Sequence, residues 1–209
     1  MPKVLLLAGG PLDQDLPRDW DLYLGVDAGA LTLLKEGLPL DYALGDFDSV
    51  SLEERAWIEQ EAKVLVTAQS EKDDTDLELA LLTLFKDLPQ AQVRIYGALG
   101  GRLDHSLANV FLPSDQRLAP FMEQLSLVDK QNYLTYLAAG RHEIKPRTGW
   151  TYLAFLPVQD QVLRIEGAKY PLTSQNYFFK KVYASNEFIG EPIHLSFTEG
   201  YVVLIFSKD

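Results

Sequence analysis

Five times within the first hundred or so residues, a short apolar run stops at a tight polar or glycine-bearing turn. This repetition constrains the fold more than any other feature of the chain. Val4 to Ala8 is closed by Gly9, Gly10 and Pro11. "LYLGVDAGA" runs into Asp27 and Gly29, and "DYALGDFDSV" into Gly45, Asp46 and Asp48. "AKVLVTAQS" and "AQVRIYGALGG" follow the same plan. Runs that are apolar throughout, rather than alternating, predict strands buried on both faces, as in a parallel sheet. Helical patterns lie between them. Leu52 to Glu61 presents Trp57 and Ile58 as its apolar face, and Leu77, Leu81, Leu84 and Phe85 share one face at helical spacing. A further helix opens at "DHSLANVFL". Strands alternating with helices predict a parallel sheet covered on both sides.

The texture changes near residue 120. Beyond "APFMEQLSLVD" the helical patterns vanish. "NYLTYLAAGRHEI", "GWTYLAFLPV", "DQVLRIEGAKYPL", "NYFFKKVYAS", "EPIHLSF" and "YVVLIFS" are aromatic-rich and β-branched, with Gly, Pro, Asn or Asp at each junction. This predicts an antiparallel sandwich or barrel. The expected organisation is an α/β domain with a mainly parallel sheet over residues 1–123, followed by an all-β domain over 124–209.

Charge and composition exclude several classes of function. The net charge of -11 repels a phosphate backbone, so no nucleic-acid partner is expected. There are no cysteines, which removes disulfide scaffolds, thiolate zinc sites and cysteine nucleophiles and fits a reducing cytoplasm. The run within "MPKVLLLAGG" is too short for a signal-peptide core or a membrane span, and no other stretch approaches spanning length. A cytoplasmic protein without a membrane partner is the expectation.

In open α/β sheets, ligands collect at the carboxyl ends of the strands. The unusual acidic residues all follow such ends: Asp27; Asp46 and Asp48; Asp73, Asp74 and Asp76; and Asp104 beside Arg102. Asp and Ser in "GDFDS" also serve as ordinary turn formers. However, two carboxylates so close at a half-buried rim repel each other, and a divalent cation relieves the repulsion. Magnesium, held by one or two carboxylates plus substrate phosphates, suits Asp46 and Asp48. "KDDTD" reads as a helix start with Asp73 as N-cap and Asp76 at the third helical position, with a second carboxylate contribution from either. Lys72 is a solvated cation or a phosphate contact. In "GALGGRLDHSLAN", glycines allow close backbone approach, the following helix offers free N–H groups, and Arg102 either clamps phosphate or pairs with Asp104. His105 alone reads as a packing or capping residue. No Gly-x-x-x-x-Gly-Lys-Ser/Thr loop and no Gly-x-Gly-x-x-Gly fingerprint is present. The residues point to a magnesium-dependent site for a phosphorylated ligand, and leave hydrolysis and transfer open.

Taken together and in order, "VDAGA", "GDFDS", "KDDTD" and "GGRLDHSLAN" resemble the thiamine pyrophosphokinase family, as do "EGAKYPL" and "ASNEF" towards the C-terminus. The resemblance covers nearly the whole chain. It implies an ATP-binding catalytic α/β domain, a thiamine-binding β domain, and a homodimer with active sites between subunits. It implies an enzyme that moves the pyrophosphoryl group of ATP onto the hydroxyl of thiamine, giving thiamine diphosphate and AMP. By position, Asp46, Asp48, Asp73 and Asp76 are the expected magnesium and catalytic carboxylates, with Arg102 on the phosphates. Asp27, Gly29, Lys72, Thr75, Gly100, Gly101, Asp104 and His105 are expected around the nucleotide. Tyr170, Ser185 and Asn186 are expected on thiamine, whose cationic thiazolium suits an aromatic face. Ala28 stands where a Gly-Gly pair often follows the aspartate, and Tyr170 where many members carry Trp. A magnesium-dependent nucleotide pyrophosphatase, a kinase for another alcohol and a non-catalytic thiamine or nucleotide sensor are the rival readings.

Overall fold

The computed structural model describes residues 1–67, 73–159 and 162–209. The chain divides into two compact units, Met1–Lys130 and Gln131–Asp209.

In the first unit, strands β1 (Lys3–Leu7), β2 (Leu22–Val26), β3 (Tyr42–Gly45), β4 (Val64–Thr67), β5 (Gln92–Tyr96) and β6 (Leu125–Val128) run parallel, in the order β6-β5-β1-β2-β3-β4. Val4, Leu5, Leu6, Leu24, Ala43 and Leu44 are fully buried, which is why these strands read as unbroken apolar runs. Edge strand β4 is the exception, with Val64 and Leu65 more than a third exposed. The connecting helices are α1 (Ala28–Lys35), α2 (Leu52–Glu61), α3 (Asp76–Asp87) and α4 (Leu103–Val110). Ser51 caps α2 and Thr75 caps α3, each through a reciprocal box with the glutamate three residues on. The α3 start therefore differs from the sequence expectation. Thr75, rather than Asp73, is the N-cap, and Asp76 is the first helical residue. A hydroxyl paired with Glu78 satisfies both exposed donors, which a lone aspartate does not.

The order of strands reverses between β1 and β5. The chain steps from β1 out to β4, then returns to the far side of β1. The loops after the two strands are zipped together at this point: the Ala8 N–H donates to the Tyr96 carbonyl at 2.9 Å, and the Gly10 N–H to the Gly97 carbonyl at 3.0 Å. A β-carbon at Gly10 would sit 2.3 Å from that carbonyl oxygen, so no side chain fits there.

Strand β6 was not expected as part of this sheet. "LSLV" pairs parallel with β5, from Val93 opposite Leu125 to Tyr96 opposite Val128, and extends the α/β unit to residue 130 rather than 123.

The second unit is antiparallel: β7 (Asn132–Ile144), β8 (Tyr152–Pro157), β9 (Arg164–Glu166), β10 (Tyr183–Asn186) and β11 (Ile193–Ser207). The order is β10-β8-β11-β7, with β9 also on β11. The long strand β11 carries β9 along its first half and β8 along its second. The register against β7 shifts between Phe197 and Tyr201. A shift of this kind re-aims the alternation. Leu195 and Phe197 before it, and Val202, Leu204 and Phe206 after it, therefore enter one core together with Phe155, Leu163 and Ile165.

Candidate functional site

All the strand ends of the first unit face one rim, because the sheet is parallel. Asp27 lies at the end of β2 with φ 49° and ψ -123°, and Phe47 lies beyond β3 with φ 56°. Among the described residues, only Asp27, Phe47 and Ser185 combine a side chain with positive φ. Such conformations cost roughly 1–3 kcal/mol each and persist only where surrounding structure enforces them. At Phe47 the enforcing contact is visible: the ring is buried, so the loop is anchored between its two aspartates. Asp46 is half-buried and Asp48 exposed, and Asp46 Oδ1 accepts from the Asp48 N–H at 3.1 Å. That bond closes the turn between the two aspartates.

Asp27 precedes α1 and its carbonyl accepts from the Ala30 N–H at 3.0 Å, but its side chain does not cap the helix. Its carboxylate rests on Gly45 instead, and its N–H donates to the Leu44 carbonyl at 2.9 Å. A β-carbon at residue 45 would lie 1.8 Å from Asp27 Oδ1. The glycine of "GDFDS" therefore lets the carboxylate of the preceding strand end approach the Asp46–Asp48 turn. Gly29, buried in α1, meets the first strand in the same way: a β-carbon there would sit 2.1 Å from the Leu7 carbonyl oxygen.

The "KDDTD" segment divides its labour. Lys72 lies outside the described residues. Asp73 is exposed, Thr75 caps α3, and Asp76 occupies its first turn, where the helix dipole favours negative charge. Asp74 accepts two bonds from Arg117, at 2.5 and 3.1 Å, and Arg117 also grips Asp115 at 2.5 Å. These carboxylates push the Arg117 pKa up, and Arg117 in turn lowers that of Asp115. Sequence reasoning missed the grip of Arg117 on Asp74. The two lie 43 residues apart, and nothing in "SDQR" announces the pair.

After β5, Gly100 (φ 87°) and Gly101 (φ 70°) turn the chain into α4. The Asn109 amide donates to the Ala98 carbonyl at 2.8 Å and the Ser106 hydroxyl to the Gly100 carbonyl at 3.0 Å, fixing this loop to its helix. Arg102 grips Asp104 with two bonds, at 2.6 and 3.2 Å. That hydrogen bonding holds the Asp104 carboxyl at about 2, below the ordinary carboxylate range. Arg102, Asp104 and His105 are all exposed. Among the described residues, no three carboxylate or imidazole groups form a ready metal cage. The donor set nevertheless fits magnesium, which takes all-oxygen ligands and needs only one or two carboxylates when phosphates and water complete its shell.

In the second unit, Tyr170, Ser185 and Asn186 line one cleft of about 530 Å³, together with Lys169, Phe178, Lys180 and Tyr183. The two segments meet by main-chain pairing: Ala168 bridges Phe188, and the Lys169 N–H donates to the Glu187 carbonyl at 3.0 Å. Ser185 has φ 60° and its side chain is exposed at the cleft. Tyr170 is 58% exposed. Asn186 is 2% exposed, and its amide is committed to the fold. Oδ1 accepts from the N–H groups of Tyr170 (2.9 Å) and Glu187 (3.0 Å), and Nδ2 donates to the Tyr170 carbonyl at 2.9 Å. Asn186 thus holds the main chain of Tyr170 in place while lining the same cleft.

Residues 14–117 match the thiamin pyrophosphokinase catalytic domain, and residues 141–202 the thiamin pyrophosphokinase vitamin B1 binding domain. The chain is 36% identical to the thiamine pyrophosphokinase of Bacillus subtilis over 217 residues, covering 100% of both proteins. The structure of a thiamin pyrophosphokinase family protein from Enterococcus faecalis superposes with a TM-score of 0.90 at 41% identity, covering 99% of each chain. Thiamin pyrophosphokinase from Candida albicans shares the fold at 17% identity, with a TM-score of 0.74 over 100% of this chain and 89% of that one. The chain belongs to the thiamin pyrophosphokinase family.

Proposed function

We propose that the protein transfers the pyrophosphoryl group of ATP to the hydroxyl of thiamine, forming thiamine diphosphate and AMP, with magnesium as its metal. The observation that carries this reading is where backbone strain is stored. Asp27 and Phe47 hold it at the acidic rim, and Ser185 holds it at the aromatic cleft. Positive φ at residues other than glycine recurs at ligand sites, and here it falls at both the acidic rim and the aromatic cleft.

In this reading Asp46 and Asp48 hold magnesium, and Asp73 and Asp76 complete the acidic set. Magnesium offsets charge on the triphosphate. Asp27, Gly29 and Thr75 approach the nucleotide, while Gly100, Gly101, Asp104 and His105 shape the loop that presents Arg102 to phosphate. Arg102 uses two of its donor atoms on Asp104 and keeps others for oxygen anions. The thiamine hydroxyl oxygen bonds to the β-phosphorus, and the bridge to the α-phosphorus breaks with AMP as leaving group. A carboxylate of the Asp73–Asp76 segment takes the hydroxyl proton. Such transfers depend on positioning and charge stabilisation far more than on covalent help. Tyr170 offers its ring to the thiazolium, Ser185 its hydroxyl to the aminopyrimidine, and Asn186 fixes Tyr170. The net charge of -11 attracts cationic thiamine. The absence of cysteine supports a cytoplasmic setting, and the family resemblance supports a homodimer.

The test is AMP release by purified protein with ATP and magnesium, with and without thiamine. AMP formed only with thiamine, with thiamine diphosphate in equal amount, is the expected result. AMP formed equally without thiamine identifies a hydrolase, and thiamine binding without AMP identifies a sensor.

A further inference from the structure

The aromatic cleft contains a charge that does not suit thiamine. Two lysines line it, Lys169 and Lys180. Lys169 is neutralised by Glu187, whose Oε1 lies 2.5 Å from its ammonium. Lys180 has no carboxylate within ion-pair distance among the described residues. Its ammonium lies 5.6 Å from the centre of the exposed Phe178 ring, a contact that holds a cation in place without cancelling its charge. Thiamine carries a fixed positive thiazolium, so an uncompensated ammonium in the same cleft repels it. Thiamine diphosphate carries the same ring with an anionic tail, which the ammonium attracts.

We propose that Lys180 is a specificity-determining residue that reads the phosphorylation state of the ligand, weakening the hold on thiamine and strengthening the hold on thiamine diphosphate. The inference rests on the reading of this cleft as the thiamine site. Its consequence is that product is retained relative to substrate, so the enzyme slows as thiamine diphosphate accumulates. A neutral residue at 180 would reverse both effects. An arginine would keep them.

The experiment is equilibrium binding of thiamine and of thiamine diphosphate, each measured separately at low salt. It uses the full chain, Lys180→Gln, Lys180→Arg and Tyr170→Ala. Lys180→Gln is expected to weaken thiamine diphosphate by up to about fivefold, the upper end for an exposed charge pair, while leaving thiamine unchanged or tighter. Lys180→Arg keeps the original ratio, and added salt shrinks the difference between the two ligands. If Lys180→Gln moves both affinities in the same direction, or neither, while Tyr170→Ala weakens both, the role of Lys180 is overturned and the cleft stands. If Tyr170→Ala leaves both affinities intact, the cleft is not the thiamine site and the inference falls with it. Lys180 is exposed, so the melting temperature of Lys180→Gln is expected to match the parent.

Discussion

Gly45→Ala is the most revealing single change, because one methyl group acts on two carboxylate-bearing loops at once. The residue has φ +147°, a conformation that L side chains rarely adopt, and the new β-carbon would sit 1.8 Å from Asp27 Oδ1. Ordinary contact requires the carboxylate to retreat by about 2 Å. The backbone strain costs roughly 1–3 kcal/mol, which lowers the melting temperature by about 2–12 °C in a chain of this size. A displacement of 1 Å at a reacting centre costs on the order of a hundredfold in turnover. The expected phenotype is therefore a folded protein, modestly less stable, with turnover reduced about a hundredfold. Differential scanning fluorimetry and a coupled AMP-release assay read the two effects separately. Adding Asp27→Gly removes the group that collides. It should recover part of the melting loss and none of the activity, a coupling that a double-mutant cycle measures. Parental turnover in well-folded Gly45→Ala would refute the claim that the Asp27 carboxylate must lie against the "GDFDS" turn.

Four other expectations follow from the geometry. Asp46→Asn with Asp48→Asn should reduce turnover by about a thousandfold or more, with an unchanged melting curve and a raised magnesium requirement; a fully active double variant sinks the metal assignment. Arg117→Ala should leave the melting temperature nearly unchanged, since the guanidinium is 54% exposed, yet raise KM for magnesium-ATP by releasing Asp74. An unchanged KM would show that Asp74 needs no anchor. Asn186→Ala strips three hydrogen bonds from a buried site, costing about 1–3 kcal/mol, and should raise KM for thiamine more than that for ATP; equal effects on both would refute its tie to Tyr170. The Asp104 carboxyl is depressed to about 2, so its pair with Arg102 is complete above the ordinary carboxylate range and is lost only as pH falls toward that value. Asp104→Asn should therefore leave the shape of the pH–activity profile unaltered, and a shifted acid limb would contradict the pairing.

Much of the fold was legible because it is written in local periodicity. The apolar runs became parallel strands, Leu52 to Glu61 became α2 with Ile58 buried, and the aromatic segments became antiparallel strands. β6 was hidden because "LSLV" falls where the texture changes, with no helical pattern after it, and its place beside β5 is a tertiary fact. Pattern reading also misplaced the cap of α3. Both Asp73 and Thr75 are good N-caps, and the difference lies in Glu78 reaching back to the Thr75 N–H. The acidic rim was visible as four loops ending alike. The tasks of Asp74 and Asn186 were not visible, because each depends on a partner distant in sequence: Arg117 for one, the main chain of Tyr170 for the other. The strain at Asp27, Phe47 and Ser185 has no sequence signature, since none of them is glycine.

The most direct measurement follows the label in ATP carrying radioactive phosphorus at the β position, with thiamine and magnesium present. The account predicts that the label appears in thiamine diphosphate, in equal amount to the AMP released, with none in thiamine monophosphate or in free pyrophosphate. Label collecting as pyrophosphate or orthophosphate while thiamine remains unchanged would contradict transfer to the thiamine hydroxyl.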